Sequence, residues 1–221
     1  MTGRPFLVVL AGVNGAGKSS VGGALLAEYR LPFFNLDTLA RQLVFQTGME
    51  WKAANVQAGR HGLTRLRQAI ENGTNYAFET TLSGNAIPSL LREAAVSHRI
   101  IVFYCGLETV ELHLQRVARR VANGGHNIPE ARIRERWTTS RANLISLLPL
   151  ISRLQALDNS RSVGADEDIP VARLVLDVRD REIFVPAAGD VAAWGAIPDW
   201  AKPICQAARE LVRGRSGAGK A

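Results

Sequence analysis

Residues 12–19 read GVNGAGKS, the spacing G-x-x-x-x-G-K-[ST], and no other feature of the chain constrains its folding as tightly. The pattern works only between a strand and a helix. Successive backbone N–H groups must turn inward around an anion, and the helix that follows must present its positive end. Both flanks are present: an apolar run, Phe6 to Ala11, enters the motif, and a helix-forming run, Ser19 to Tyr29, leaves it. Gly12, Gly15 and Gly17 supply dihedrals and close approaches that a Cβ would forbid, with Asn14 and Ala16 completing the loop. Lys18 is expected to reach the β- and γ-phosphates of ATP and the Ser19 hydroxyl to hold Mg²⁺. Ser20 belongs to the same phosphate-binding run, though its residue type also suits ordinary helix filler. The spacing recurs from Gly214 to Lys220, but no strand precedes it, no helix follows and Ala221 replaces the hydroxyl, so that copy reads as flexible tail.

A chain of 221 residues, 47% of them hydrophobic, can bury a substantial core. The expected organisation is a single domain over 1–221, with a core at 5–160, a lid at about 113–141, and a C-terminal hairpin and tail over 161–221. No apolar run is long enough to span a membrane, and the N-terminus enters the first strand without a signal peptide, so a cytosolic protein is expected. Cys105 and Cys205 fit that compartment, and no metal-ligand spacing involves them. The net charge of +7 comes mostly from arginine, whose planar fork binds phosphate oxygens bidentately. The arginines fall in helical runs without an aromatic ladder, which favours a phosphorylated small molecule over nucleic acid.

Apolar β-rich runs alternate with longer helical patterns, predicting a mainly parallel sheet between two layers of helices, an α/β/α sandwich. Strands are expected at 5–11, 32–37, 76–80, 99–105 and 154–158, and helices near 17–30, 38–47, 50–72, 86–97, 107–123 and 129–151. Residues 171–177 and 181–185, around Arg179 and Asp180, suggest an appended β-hairpin. Residues 159–170 and 186–203, rich in Asp, Gly and Pro, read as loops, with Trp194 and Trp200 pinning the tail.

Four further groups of residues carry chemistry. Asp37 falls at the carboxyl end of the expected second strand, the sheet edge where ligands bind, and can take a proton from a hydroxyl attacking the γ-phosphate; an Asp there can also simply cap the next helix. Glu79, with Thr80 and Thr81, is delivered to the same edge, where it can hold Mg²⁺ through water or bind a substrate hydroxyl. Between His113 and Arg141 lie seven arginines on two helices broken at Gly124 to Pro129, the pattern of a hinged lid. Arg120 and Arg134 are the expected phosphate contacts, with Arg116, Arg119, Arg132 and Arg136 as alternatives; Arg116 and Arg136 and the turn residue His126 are candidate substrate ligands. His61, His98 and His113 show no partner at catalytic spacing. Asn159, in Ala156-Leu-Asp-Asn-Ser160, follows the last core strand, where an amide can read adenine.

Taken in order, GVNGAGKSS, FNLDTLAR, FETTLSG, RVARRVANGGHNIPEARIRERW and LDNS resemble the zeta-toxin family, in particular its compact bacterial branch of P-loop ATPases, over roughly residues 5 to 160. The resemblance implies a P-loop kinase fold in which Asp37 activates a hydroxyl, Lys18 holds ATP and lid arginines stabilise transfer. It also implies a nucleotide-sugar acceptor such as UDP-N-acetylglucosamine and a small antitoxin partner. The combined expectation is a Mg²⁺-ATP-dependent phosphotransferase acting on a small, anionic hydroxyl compound. The alternatives are a nucleotide-dependent switch without an acceptor and a polynucleotide 5′-hydroxyl kinase.

Overall fold

The computed structural model describes residues 3–27, 33–161 and 172–218. Seven strands form one sheet in the order β2-β3-β1-β4-β5-β6-β7. The first five, β1 (Phe6–Ala11), β2 (Phe33–Phe34), β3 (Tyr76–Thr80), β4 (Arg99–Gly106) and β5 (Arg153–Asp158), run parallel. β6 (Arg173–Arg179) and β7 (Glu182–Val185) are appended antiparallel to β5. β1 lies between β3 and β4, so the chain leaves it toward one side of the sheet and later crosses to the other. The loop after β1 therefore opens at the switch point where α/β sheets bind ligands.

Alternation along β1 explains the layers. Leu7, Val9 and Ala11 face a core shared with α3 (Trp51–Glu71), α4 (Ala86–Ala94), α6 (Glu130–Leu147) and α8 (Lys202–Ala218). Val8 and Leu10 face the opposite side, where Ala16 and Val21 pack at the start of α1 (Lys18–Ala27). With both faces covered, the strands are apolar throughout, as a buried parallel sheet requires. A satellite core of Val13, Val117, Ile128 and Ile133 fixes α5 (Val110–Ala122) and the N-terminal half of α6 against the loop after β1. The sandwich expected from the alternation of strand and helix is the observed one, and no helix among the described residues is long and apolar enough to cross a membrane.

Three local expectations need correction. The second strand shrinks to Phe33 and Phe34, because Asn35 caps α2 (Leu36–Thr47): its side chain accepts a hydrogen bond from the Thr38 N–H at 3.1 Å. Asp37 is thus inside the first helical turn and is not the cap. The hairpin turn falls on Asp180 and Arg181, both at positive φ, one residue later than expected. The largest departure is α8, which occupies a stretch read partly as loop and partly as tail. Ile204, Cys205 and Ala208 bury one face of it, and this packing outweighs a polar sequence with glycines near its end. Part of the second glycine-rich copy is therefore helix, and residues 219–221 lie outside the described residues, as does most of the loop expected at 159–170. Residues 186–203 also contain a short helix, α7 (Val191–Gly195). Cys105 and Cys205 are buried and free, the thiol of each pushed up to about 12 by burial.

Candidate active site

The loop between β1 and α1 is shaped by its glycines. Gly12, Gly15 and Gly17 have φ of 142°, 82° and 81°, a region that side chains disfavour. Each also lies against a neighbour that leaves no room for a Cβ: Gly12 under the Cys105 carbonyl, Gly15 with 2.8 Å to the His113 carbonyl, Gly17 against the Asn159 amide. Glycine is thus required twice over at each position, as a loop that cradles a chain of phosphates demands.

Lys18 is buried at the mouth of this cradle, its ammonium 3.3 Å from the Val13 carbonyl and 3.4 Å from the Glu79 carboxylate. Glu79 comes from the end of β3, paired in register with Leu10. It also accepts hydrogen bonds from Ser19 Oγ at 3.4 Å and Asn35 Nδ2 at 2.8 Å. A hydroxyl and a carboxylate side by side at the phosphate end of the cradle are the hard oxygen donors that suit Mg²⁺. The residues present therefore fit a Mg²⁺-nucleotide. Ser20 is exposed and its N–H bonds the Gly17 carbonyl, as in any first helical turn.

Asp37 faces Arg120 of α5. Its carboxylate is 3.7 Å from Arg120 Nη1, while Arg120 Nη2 donates to the His126 carbonyl at 3.4 Å. Arg120 packs beneath Gly125, where a Cβ would fall 2.8 Å from its Cγ, so the glycine pair that breaks the lid helices also seats this arginine. The His126 ring stacks on Trp51 with centroids 4.3 Å apart. Burial lowers its pKa, an effect that Asp37 opposes and Arg120, Arg41 and Arg136 reinforce. Asp37, Arg41, Trp51, Arg120 and His126 line a cavity of about 380 Å³.

The remaining arginines of α5 and α6 separate by orientation. Arg136 Nη1 donates to Asn14 Oδ1 in the phosphate loop at 2.6 Å, and burial lowers its pKa. Arg134, the expected contact, instead points outward into ion pairs with Glu130 at 2.8 Å and Glu111 at 3.0 Å. The buried stripe Ile133, Ser140, Leu144 sets this rotation: Arg136 shares its face and Arg134 does not. Arg132 pairs with Glu135 on the exposed surface. On α5 the buried stripe His113, Val117 places Arg116 and Arg120 on the inner face. Arg116 reaches the carbonyls of Asn159 and Arg161 at 2.8 and 3.2 Å, and so supports the loop after β5.

Two expected ligands are occupied structurally. Asn159 donates its side-chain amide to the Ala16 carbonyl at 2.9 Å, bracing the phosphate loop from behind where an adenine-reading edge was expected. Thr80 is buried and its hydroxyl accepts from the Leu82 N–H at 2.9 Å, which stabilises the turn at Leu82, where φ is 54°. Thr81, bonded to Ser83, remains beside Glu79 in a second cavity of about 230 Å³ walled by Phe34, Leu36, Leu63 and Phe78.

Three contributors escaped the sequence reading. His113 is buried and its Nδ1 lies 2.7 Å from the Asn14 carbonyl; with no cation or carboxylate at a recognisable spacing, only its place on the α5 stripe pointed inward. Asn35 holds Glu79 and caps α2, a role legible in retrospect from Asn before a helical run. Asn143 donates to the carbonyls of Leu82 and Gly84 at 2.9 and 3.1 Å, tying α6 to the loop after β3.

A family profile described as an AAA domain (AAA_33) matches residues 7–143, which spans the phosphate loop, Asp37, Glu79, α5 and most of α6. An uncharacterized protein of Haemophilus influenzae strain Rd is 29% identical over 131 residues, 59% of this chain and 91% of that protein. Among solved structures, the AvrRxo1-ORF1:-ORF2 complex with ATP matches with a TM-score of 0.61 and 16% identity, covering 89% of this chain and 64% of that one. The chain thus spans under two thirds of that relative's length. The PezAT chromosomal toxin-antitoxin system of Streptococcus pneumoniae matches with a TM-score of 0.58 and 15% identity, covering 96% of this chain and 88% of that one. At these identities the likeness is one of fold alone, a mainly parallel sheet between helices with a phosphate-binding loop after its first strand. With more than half of its length matched by the profile, the chain belongs to the AAA domain family AAA_33.

Proposed function

We infer that the protein is a Mg²⁺-ATP-dependent phosphotransferase that moves the γ-phosphoryl group to a hydroxyl of a small, anionic acceptor. The observation that carries this reading is the placement of Asp37: a carboxylate on the first turn of α2, bordering a cavity and paired with a lid arginine 3.7 Å away. In the proposed reaction the acceptor oxygen attacks the γ-phosphorus and its proton passes to the Asp37 carboxylate. The bond from that phosphorus to the β,γ-bridging oxygen breaks, and ADP leaves with the bonding pair. Lys18 and the loop amides hold the phosphate chain, and Arg136 and Arg120 meet the charge that develops on the transferring group. Ser19 and Glu79 would hold Mg²⁺, which when bound screens the β- and γ-phosphates. Because the arginines sit on helices joined through Gly124 and Gly125, closure of the α5–α6 lid over a bound acceptor would bring them in and exclude water.

A nucleotide sugar of the UDP-N-acetylglucosamine type is the acceptor class that the zeta-toxin resemblance suggests, and a small antitoxin is the corresponding partner. The fold shared with PezAT, a toxin-antitoxin system, supports looking for both. The deciding experiment incubates the protein with ATP, Mg²⁺ and a panel of nucleotide sugars, dinucleotides and phosphorylated alcohols, with mass spectrometry for the gain of one phosphate. A product whose formation falls by at least about a hundredfold in Asp37→Asn, with ATP binding retained, is the expected outcome. Nucleotide binding with no acceptor-stimulated turnover on any compound would count against a kinase and for a switch.

A further inference from the structure

The cavity beside Asp37 has more positive charge than its own groups neutralise. Arg120 is committed to Asp37 and Arg136 to the phosphate loop. Arg41 also lines the cavity and has no hydrogen-bond or ion-pair partner among the described residues. Arg120 and Arg136 are the groups the proposed reaction needs around the transferring phosphoryl, so they are not available to the acceptor. Arg41 is. It lies four residues after Asp37 on α2, hence on the same face of the helix, and one turn separates the two by about 6 Å along the axis. The stacked rings of Trp51 and His126 line the same cavity.

We propose that this cavity is the acceptor's recognition site and that Arg41 binds an acidic group, a phosphate monoester or a carboxylate, carried by the acceptor apart from its reactive hydroxyl. The proposal rests on the kinase reading and sharpens it. Two requirements follow for the acceptor: an acid that pairs with a guanidinium, and a hydroxyl that reaches Asp37 within the same cavity. A neutral alcohol of the same shape would leave Arg41 without a counter-charge and bind poorly. Trp51 and His126 would cover the carbon skeleton between the two groups.

The test loads the whole protein with Mg²⁺ and the non-hydrolysable analogue AMP-PNP, so that the γ-phosphate position is filled, and titrates in inorganic phosphate or acetate by calorimetry. Phosphate is expected to bind the loaded protein and to bind about tenfold or more weakly in Arg41→Gln, with Arg41→Lys intermediate and AMP-PNP affinity the same in all three proteins. Preference for phosphate over acetate assigns a phosphate monoester; equal or better binding of acetate assigns a carboxylate. Phosphate affinity unchanged in Arg41→Gln, or no binding of either anion to protein that binds AMP-PNP normally, overturns the acid site and leaves the kinase reading standing. Failure to bind AMP-PNP overturns the kinase reading itself, and the acid site with it.

Discussion

Arg134 and Arg136 lie two positions apart on α6 and face different surroundings, one two surface carboxylates and the other Asn14 of the phosphate loop. If Arg136 meets the transferring phosphoryl, Arg136→Gln should lower kcat by about a hundredfold or more, the scale of losing one preorganised charged donor. Arg134→Gln should stay within about twofold of the parent, because exposed ion pairs contribute little. Steady-state kinetics on the two variants side by side decides between them. His113 gives a second residue-level expectation. Burial pushes its pKa down to about 4 from an ordinary 6.5. The unfolded chain therefore binds a proton between those values that the folded chain refuses, and stability falls as pH drops from about 6.5 to 4. The loss is at most on the order of 3 kcal/mol. His113→Gln keeps a side-chain donor for the Asn14 carbonyl and cannot titrate, so its melting temperature should depend less on pH across that window.

At the scale of elements, motifs with fixed geometry were legible and orientations were not. The strand, glycine loop and helix around Lys18 could be placed from spacing alone, because each glycine answers to a local backbone demand. The parallel core strands followed from unbroken apolar runs. The two helices α5 and α6 were also legible, but the choice among their arginines depends on how α6 is rotated, which Ile133, Ser140 and Leu144 fix through contacts distant in sequence. The bond of Asn159 to the phosphate loop was not legible for a similar reason: nothing near it in sequence indicates that its amide turns back to Ala16. α8 was missed because its stability comes from the sheet it covers, and its isolated sequence promises little. Trp200, just ahead of α8, is buried against Gly106 and Tyr104, and its indole N–H donates to Asp158 at 3.2 Å. Trp200→Ala should cost about 3–5 kcal/mol in equilibrium denaturation, and a loss below about 1 kcal/mol would mean that the helix docks independently of this ring.

Across the whole molecule, the residues matched by the family profile end at 143, yet the sheet that positions the site continues through β5 to β7 and is sealed by α8. The hydrogen bond from Trp200 to Asp158 links that late segment to the end of β5, next to Asn159 and therefore to the carbonyl of Ala16 in the phosphate loop. Segments far apart along the polypeptide are in this way joined within a few side chains of each other. During synthesis on the ribosome, the phosphate loop emerges early, but the wall behind it is finished only when Trp200 and the helix after it have cleared the exit tunnel. A nascent chain halted near residue 160 would carry every motif that identifies the site and lack the support that holds those motifs in register.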